Sequence, residues 1–145
     1  MSTAPPLTGQ VLGQAHHATR AVLDRELAAI GISFAQSVAL NLVAAEGGAV
    51  RRAALVAAMT AALKAEEPLV AVTVEELLAA GLLTGGPGLA LTGPGRAVHE
   101  RVRAAVATIT TRLYADIPAP DLAVAGRVVD LVRRRADAEL ADAGR

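Results

Sequence analysis

Cysteine is absent from the 145 residues. That removes disulfides, thiolate metal sites, cysteine nucleophiles and thiol redox sensing. Aromatic residues make up 1% of the chain, one Phe and one Tyr, with no Trp. A core without rings must be aliphatic, and alanine supplies 34 residues. Alanine is the best helix former, and its small side chain lets helices approach closely, so composition points to an all-helical or nearly all-helical fold. Lysine occurs once, as Lys64, against thirteen arginines. Formal net charge is zero, which argues against a strong non-specific binder of polyanions. No apolar run reaches the roughly 18 residues of a membrane-crossing helix. The opening MSTAPPLTGQ lacks the basic and apolar segments of a secretory signal. A soluble, cytoplasmic protein with no membrane partner is expected.

What is present is a succession of helical patterns. Residues 1–6 read as a frayed lead-in. Residues 7–30 follow, with Gly31 as the stop. At about 100° per residue, Leu7, Val11, Leu12, Val22, Leu23, Leu27 and Ile30 share one broad arc. Thr19 and Glu26 project into that arc, His16 lies at its edge, and His17, Arg20 and Asp24 point away. Ser33 with Gln36 forms a capping box ahead of a second helix over 34–45, which carries no charge and is therefore expected to be buried. Glu46-Gly47-Gly48 breaks the chain. A third helix spans 51–65. Pro68 suits the first position of a fourth, which runs to about Ala80, with Gly81 after its end. Two apolar runs, 82–84 and 89–92, joined by Gly-Gly-Pro-Gly, predict a hairpin. Pro94 opens a fifth helix to about Tyr114, and Asp121 caps a sixth to about Leu140.

The candidate chemistry is sparse. His16 and His17 are adjacent on a helix and point about 100° apart, so they do not share one ion, and no HExxH occurs. No metal and no cofactor are expected. Gly-Gly-Pro-Gly lacks the Lys-Ser/Thr of a phosphate loop. Arg133 to Arg135 are followed by Asp137, Glu139 and Asp142, the pattern of a solvated or salt-bridged face. His16, Thr19, Glu26, Ser37 and Asn41 project from apolar surfaces of the first two helices. Buried polar groups need partners. They pair with one another, with a partner chain, or with a ligand. As a ligand set they line a small-molecule pocket. In an acid–base enzyme His16, Glu26 and Asn41 would be the participants, since a glutamate in apolar surroundings holds a proton it can pass on.

Three short motifs occur in order at natural spacing. Gly31, Ile32, Ser33, Gln36 and Leu40 match G-[IL]-[ST]-x-x-Q-x-x-x-L. Val74, Leu77, Gly81, Leu82 and Leu83 match V-x-x-L-x-x-x-G-L-[LV]. Leu91, Thr92 and Gly95 match L-T-x-x-G. Together they resemble the MarR family of bacterial regulators over roughly residues 7–142. The resemblance implies a mainly α fold with a small β-hairpin wing: a winged helix-turn-helix of six helices in a single domain, 1–145, forming an intertwined homodimer through helices 1, 5 and 6. Residues 7–31 and 94–143 would be the dimerisation helices and 33–92 the winged-helix lobe. It implies a DNA-binding transcription regulator whose fourth helix enters the major groove, responsive to a small effector, an aromatic acid or natural product, bound near helices 1, 2 and 5. The alternative is a protein of this fold that has lost DNA binding and binds or converts a metabolite.

Charge weighs on the DNA reading. Residues 46–92 hold three bases, Arg51, Arg52 and Lys64, against five acids, Glu46, Glu66, Glu67, Glu75 and Glu76. Phosphate neutralisation supplies essentially all of non-specific affinity. Base readout relies on Arg, Lys, Asn and Gln, and the fourth helix offers Thr73 alone. The expected contacts are Arg51, Arg52, Lys64, Thr73 and Arg96, giving weak, salt-sensitive binding that depends on shape more than on bases.

Overall fold

The computed structural model describes residues 4–144; part of the expected lead-in, residues 1–3, lies outside them. The elements run α1 (Gly9–Ile30), α2 (Phe34–Ala45), β1 (Ala49–Val50), α3 (Arg52–Leu63), α4 (Glu67–Ala79), β2 (Leu83–Thr84), β3 (Leu89–Leu91), α5 (Gly93–Leu113) and α6 (Ala119–Ala143). This is the expected mainly α winged helix-turn-helix. Residues up to Ile109 form one compact unit and those from Thr110 a second. Among the described residues no single helix is long and apolar enough to cross a membrane.

Local chemistry explains most helix ends. The Thr8 hydroxyl accepts from the Val11 amide at 3.2 Å, so α1 begins at Gly9 and the expected contribution of Leu7 to its apolar arc is corrected: Leu7 lies outside the helix and is exposed. Gly31 closes α1 at φ 94°, a left-handed conformation that glycine adopts without strain. Both halves of the capping box form, Gln36 amide to Ser33 Oγ at 3.1 Å and Ser33 amide to Gln36 Oε1 at 3.0 Å. α4 starts one residue early, leaving Pro68 second in the helix. α6 starts at Ala119 behind Pro118, so Asp121 sits inside its first turn and is not the cap. Its negative charge there still suits the helix dipole.

The core lies where α2, α3, α4 and the sheet meet. Leu40, Val43, Leu55, Met59, Val70, Val74 and Leu77 are fully buried, with Leu83 and Leu89 nearly so. Each such side chain contributes about 1.5–3 kcal/mol of transfer free energy. The uncharged α2 thus occupies the interior, as its composition requires. β1 was not expected. It pairs antiparallel with β3, Ala49 opposite Ala90 and Val50 opposite Leu89, giving the order β1-β3-β2. Two residues are too few to show a period of two, and what turns the chain into place is Gly47 and Gly48, at φ 85° and 98°.

The L-T-x-x-G motif has a geometric cause. The Thr92 hydroxyl accepts from the Gly95 amide at 2.9 Å and donates to the Gly81 carbonyl at 2.7 Å, tying the end of α4 to the start of α5. A Cβ on Gly95 would sit 2.1 Å from the Leu82 carbonyl oxygen, a clash that only glycine avoids.

Candidate functional site

Two places bear on function: a cavity beside α2 and the outward face of α4. The cavity holds about 530 Å³ and is bounded by α1, α2, α3 and α5. α2 gives it one stripe, Phe34, Ser37, Val38, Asn41 and Leu42, spaced three and four apart so that they share a face. α5 adds Val102, Arg103, Val106 and Ala107, while Leu23 and Ala62 complete the wall. Most of the lining is aliphatic. The Ser37 hydroxyl donates to the Phe34 carbonyl at 2.6 Å, which leaves its oxygen able to act only as an acceptor toward an occupant. Asn41 brings an amide, and Arg103 the only charge. Phe34, the one phenylalanine, is held from outside by Arg20, whose guanidinium carbon lies 3.7 Å from the ring centroid. Arg20 is itself fixed by Asp24 at 3.0 Å.

Of the five residues expected to bind a ligand, Ser37 and Asn41 line this cavity. His16, Thr19 and Glu26 do not. The Thr19 hydroxyl donates to the Ala15 carbonyl of its own helix at 2.8 Å, and the His16 ring tilts against His17 at 5.3 Å. The burial expected for this set is corrected for the single chain: Ser37 is buried, Glu26 is half-buried, and His16, Thr19 and Asn41 are exposed. The reason is that α1 fully buries only Leu27, while Val11, Leu12, Val22, Leu23 and Ile30 are half-buried, so the described residues cover its arc only in part. The acid–base trio is also dispersed, because ten residues of helix separate His16 from Glu26 by about 15 Å. No carboxylate or imidazole lines the cavity. Arg103 and Phe34 were missed as cavity residues. Phe34 was recoverable from the spacing of Ser37 and Asn41, while Arg103 required knowing how α5 lies on α2.

α4 presents two faces. Val70, Thr73, Val74 and Leu77 are buried. The expected DNA contact at Thr73 is therefore corrected: it is 7% exposed, and its hydroxyl turns to the Leu69 carbonyl at 3.4 Å. Thr73 falls on the same stripe as Val70 and Leu77, which the core claims. Outward stand Leu69 and Val72, 64% and 57% exposed, with Glu75 and Glu76. No side chain on that face donates a hydrogen bond. Arg52, at the start of α3, is ion-paired with Glu75. Arg51 is exposed and unpaired among the described residues. The Lys64 ammonium donates to the Ala61 carbonyl at 2.8 Å, on a residue in the left-handed conformation. Arg96 is exposed on α5 beside Gly48. The wing tip, residues 85–88, is Gly-Gly-Pro-Gly and carries no charge. On α6, Arg133 and Arg134 pair with Asp130, and Arg133 also with Asp137, so that basic run is a salt-bridged face.

No protein-family model matches the chain, and no curated protein does. Solved structures match over nearly its whole length. The MarR-family protein Rv2887 of Mycobacterium tuberculosis in complex with DNA superposes with a TM-score of 0.70 at 20% identity, covering 89% of this chain and 98% of that one. The same protein with salicylic acid gives 0.66 at 22% identity, covering 89% and 99%. CouR of Rhodococcus jostii bound to p-coumaroyl-CoA gives 0.72 at 19% identity, covering 88% and 90%. The chain has the fold of the MarR-family regulators.

Proposed function

We propose that the chain is a homodimeric transcription regulator of the MarR type that responds to a small apolar acid. The observation that carries this reading is the 530 Å³ cavity between α5 and the lobe formed by α2 and α3. Its volume lies in the range of small-molecule sites. Its aliphatic walls, one guanidinium and one amide suit an apolar body ending in a carboxylate, with Arg103 as the counter-ion. An occupant wedged against α5 biases how the lobe is held, and coupling of about 1–3 kcal/mol to DNA affinity is typical of such linkage. One protein of this fold is bound to a ligand of that kind, salicylic acid, and another to the thioester of an aryl acid, p-coumaroyl-CoA.

The dimer is part of the proposal. α6 has no buried residue, and Val124, Val128 and Leu131, spaced four and three apart, form an exposed apolar stripe. Exposed apolar surface of that kind marks an interface, and a second copy of the chain covers it by two-fold symmetry.

A second reading is favoured by the donor-free face of α4: the protein binds its metabolite without reading DNA. A gel shift against the DNA upstream of its own coding sequence separates the two. On the regulator reading, a duplex shift appears at low salt, fades at moderate salt, weakens in Arg51→Ala, and is released by salicylate or a larger aryl acid. No shift at any salt, together with a thermal stabilisation by the acid that Asn41→Leu removes, replaces the first reading by the second.

A further inference from the structure

A second cavity, of about 410 Å³, opens where the first turns of α5 face the Gly47-Gly48 turn. It is lined by Arg96, His99, Glu100 and Arg103 from α5 and by the two glycines from the facing wall. We propose that it is an anion site that takes a phosphate group.

Residues 96, 99 and 103 lie three and four apart, so two guanidinium groups and an imidazole share one stripe. His99 is only 8% exposed, yet its ring has no hydrogen-bond or ionic partner among the described residues. No side-chain nitrogen of the described residues is both buried and without a partner, so the ring nitrogens of this largely buried histidine reach open space, and the cavity that it lines is where a ligand can meet them. Arg96 has no ionic partner among the described residues either. Its guanidinium lies over Gly48, where a Cβ would come within 3.5 Å of it. Gly48 is at φ 98°, a conformation that glycine adopts without strain. Arg103 meets Glu100 at 3.7 Å, a long contact that an incoming anion outcompetes.

Two arginines against one glutamate leave the cavity with one net positive charge before the imidazole is counted. The backbone amides of Gly47 and Gly48 are already bonded to the Ala44 and Val43 carbonyls, so side chains must hold the ligand. A tetrahedral oxyanion with several acceptors matches converging guanidinium forks and a ring nitrogen. The phosphate belongs either to a free phosphate ester or to the DNA backbone, and the site's chemistry is the same for both. Nothing in this assignment depends on the apolar-acid cavity. Because Arg103 borders both cavities, the test uses Arg96 and His99.

The experiment is isothermal titration calorimetry of the full chain with inorganic phosphate and with pyrophosphate at constant ionic strength, repeated with a DNA duplex present. Saturable binding at one site per chain is expected. It weakens about tenfold in Arg96→Gln, the loss of one charged donor, weakens also in His99→Leu, and is unchanged in the charge-matched control Arg25→Gln. Displacement of pyrophosphate by the duplex assigns the site to the DNA backbone, and indifference to the duplex assigns it to a free phosphate ester. Absence of saturable binding up to about 10 mM, or equal binding in Arg96→Gln, His99→Leu and Arg25→Gln, overturns the proposal. Circular dichroism checks that His99→Leu is folded, and Arg96, being exposed, carries the test if it is not.

Discussion

α4 and α6 both show apolar side chains to solvent, but for different reasons. On α4, Leu69 and Val72 face out while Val70, Val74 and Leu77 on the other side are anchored in the core. The position of that helix is settled whatever its outer face carries. α6 buries nothing at all among its described residues, so within the chain no core fixes it. An apolar residue on the outer face of α4 is open to change without cost to the fold. One on the stripe of α6 is where the proposed dimer contact would act.

The largest effect separates the inward face of α4 from everything else. Leu77→Ala removes a fully buried side chain and is expected to cost about 2–5 kcal/mol, read as a lowered denaturant midpoint at any protein concentration. The next tests α6. Val128→Asp with Leu131→Asp places two carboxylates on the proposed apolar contact, costing about 3 kcal/mol or more, roughly a hundredfold in dimer dissociation constant. The lobe should keep its secondary structure, and light scattering should report monomer. A folded monomer at micromolar concentration in the parent protein would instead remove the dimer, and with it the contrast drawn between the two helices. The smallest effect concerns the polar face of α6. Arg133 donates to the Asp130 carboxylate at 2.9 Å and holds it below its usual value of 3.8. The folded chain thus keeps this carboxylate ionised more readily than the unfolded chain does. Its contribution is present above pH 3.8 and is lost as the pH falls below that value. Asp130→Asn is expected to lower Tm by about one degree or less at neutral pH and to change nothing once the carboxylate is protonated.

The candidate site was legible in proportion to how local its parts are. Ser37 and Asn41 were picked out because polar groups on an uncharged helix need an environment, and the cavity is lined by both. His16, Thr19 and Glu26 fall on or beside the apolar arc of α1, which the described residues cover only in part, so position on that arc does not imply burial. Thr73 was assigned to DNA as the only hydroxyl on α4, but residue type does not say which side of a helix the core takes. The sequence offers Arg52 as a DNA contact, yet its partner Glu75 lies 23 positions away, across a turn and on another helix.

By itself the sequence determined the helices, the capping box of α2, the glycine stop after α1, the hairpin and the family-like order of elements. Those features rest on interactions within about five residues, such as the Ser33–Gln36 box and the Thr92–Gly95 bond, and short-range chemistry is written in adjacent letters. Only the tertiary structure decided the third strand, the burial of Thr73, the neutralisation of Arg52 and the meeting of Arg96 and His99 with the Gly47-Gly48 turn. Each of these depends on the rotation of a helix against a neighbour distant in the chain, and packing, not spacing, sets that rotation.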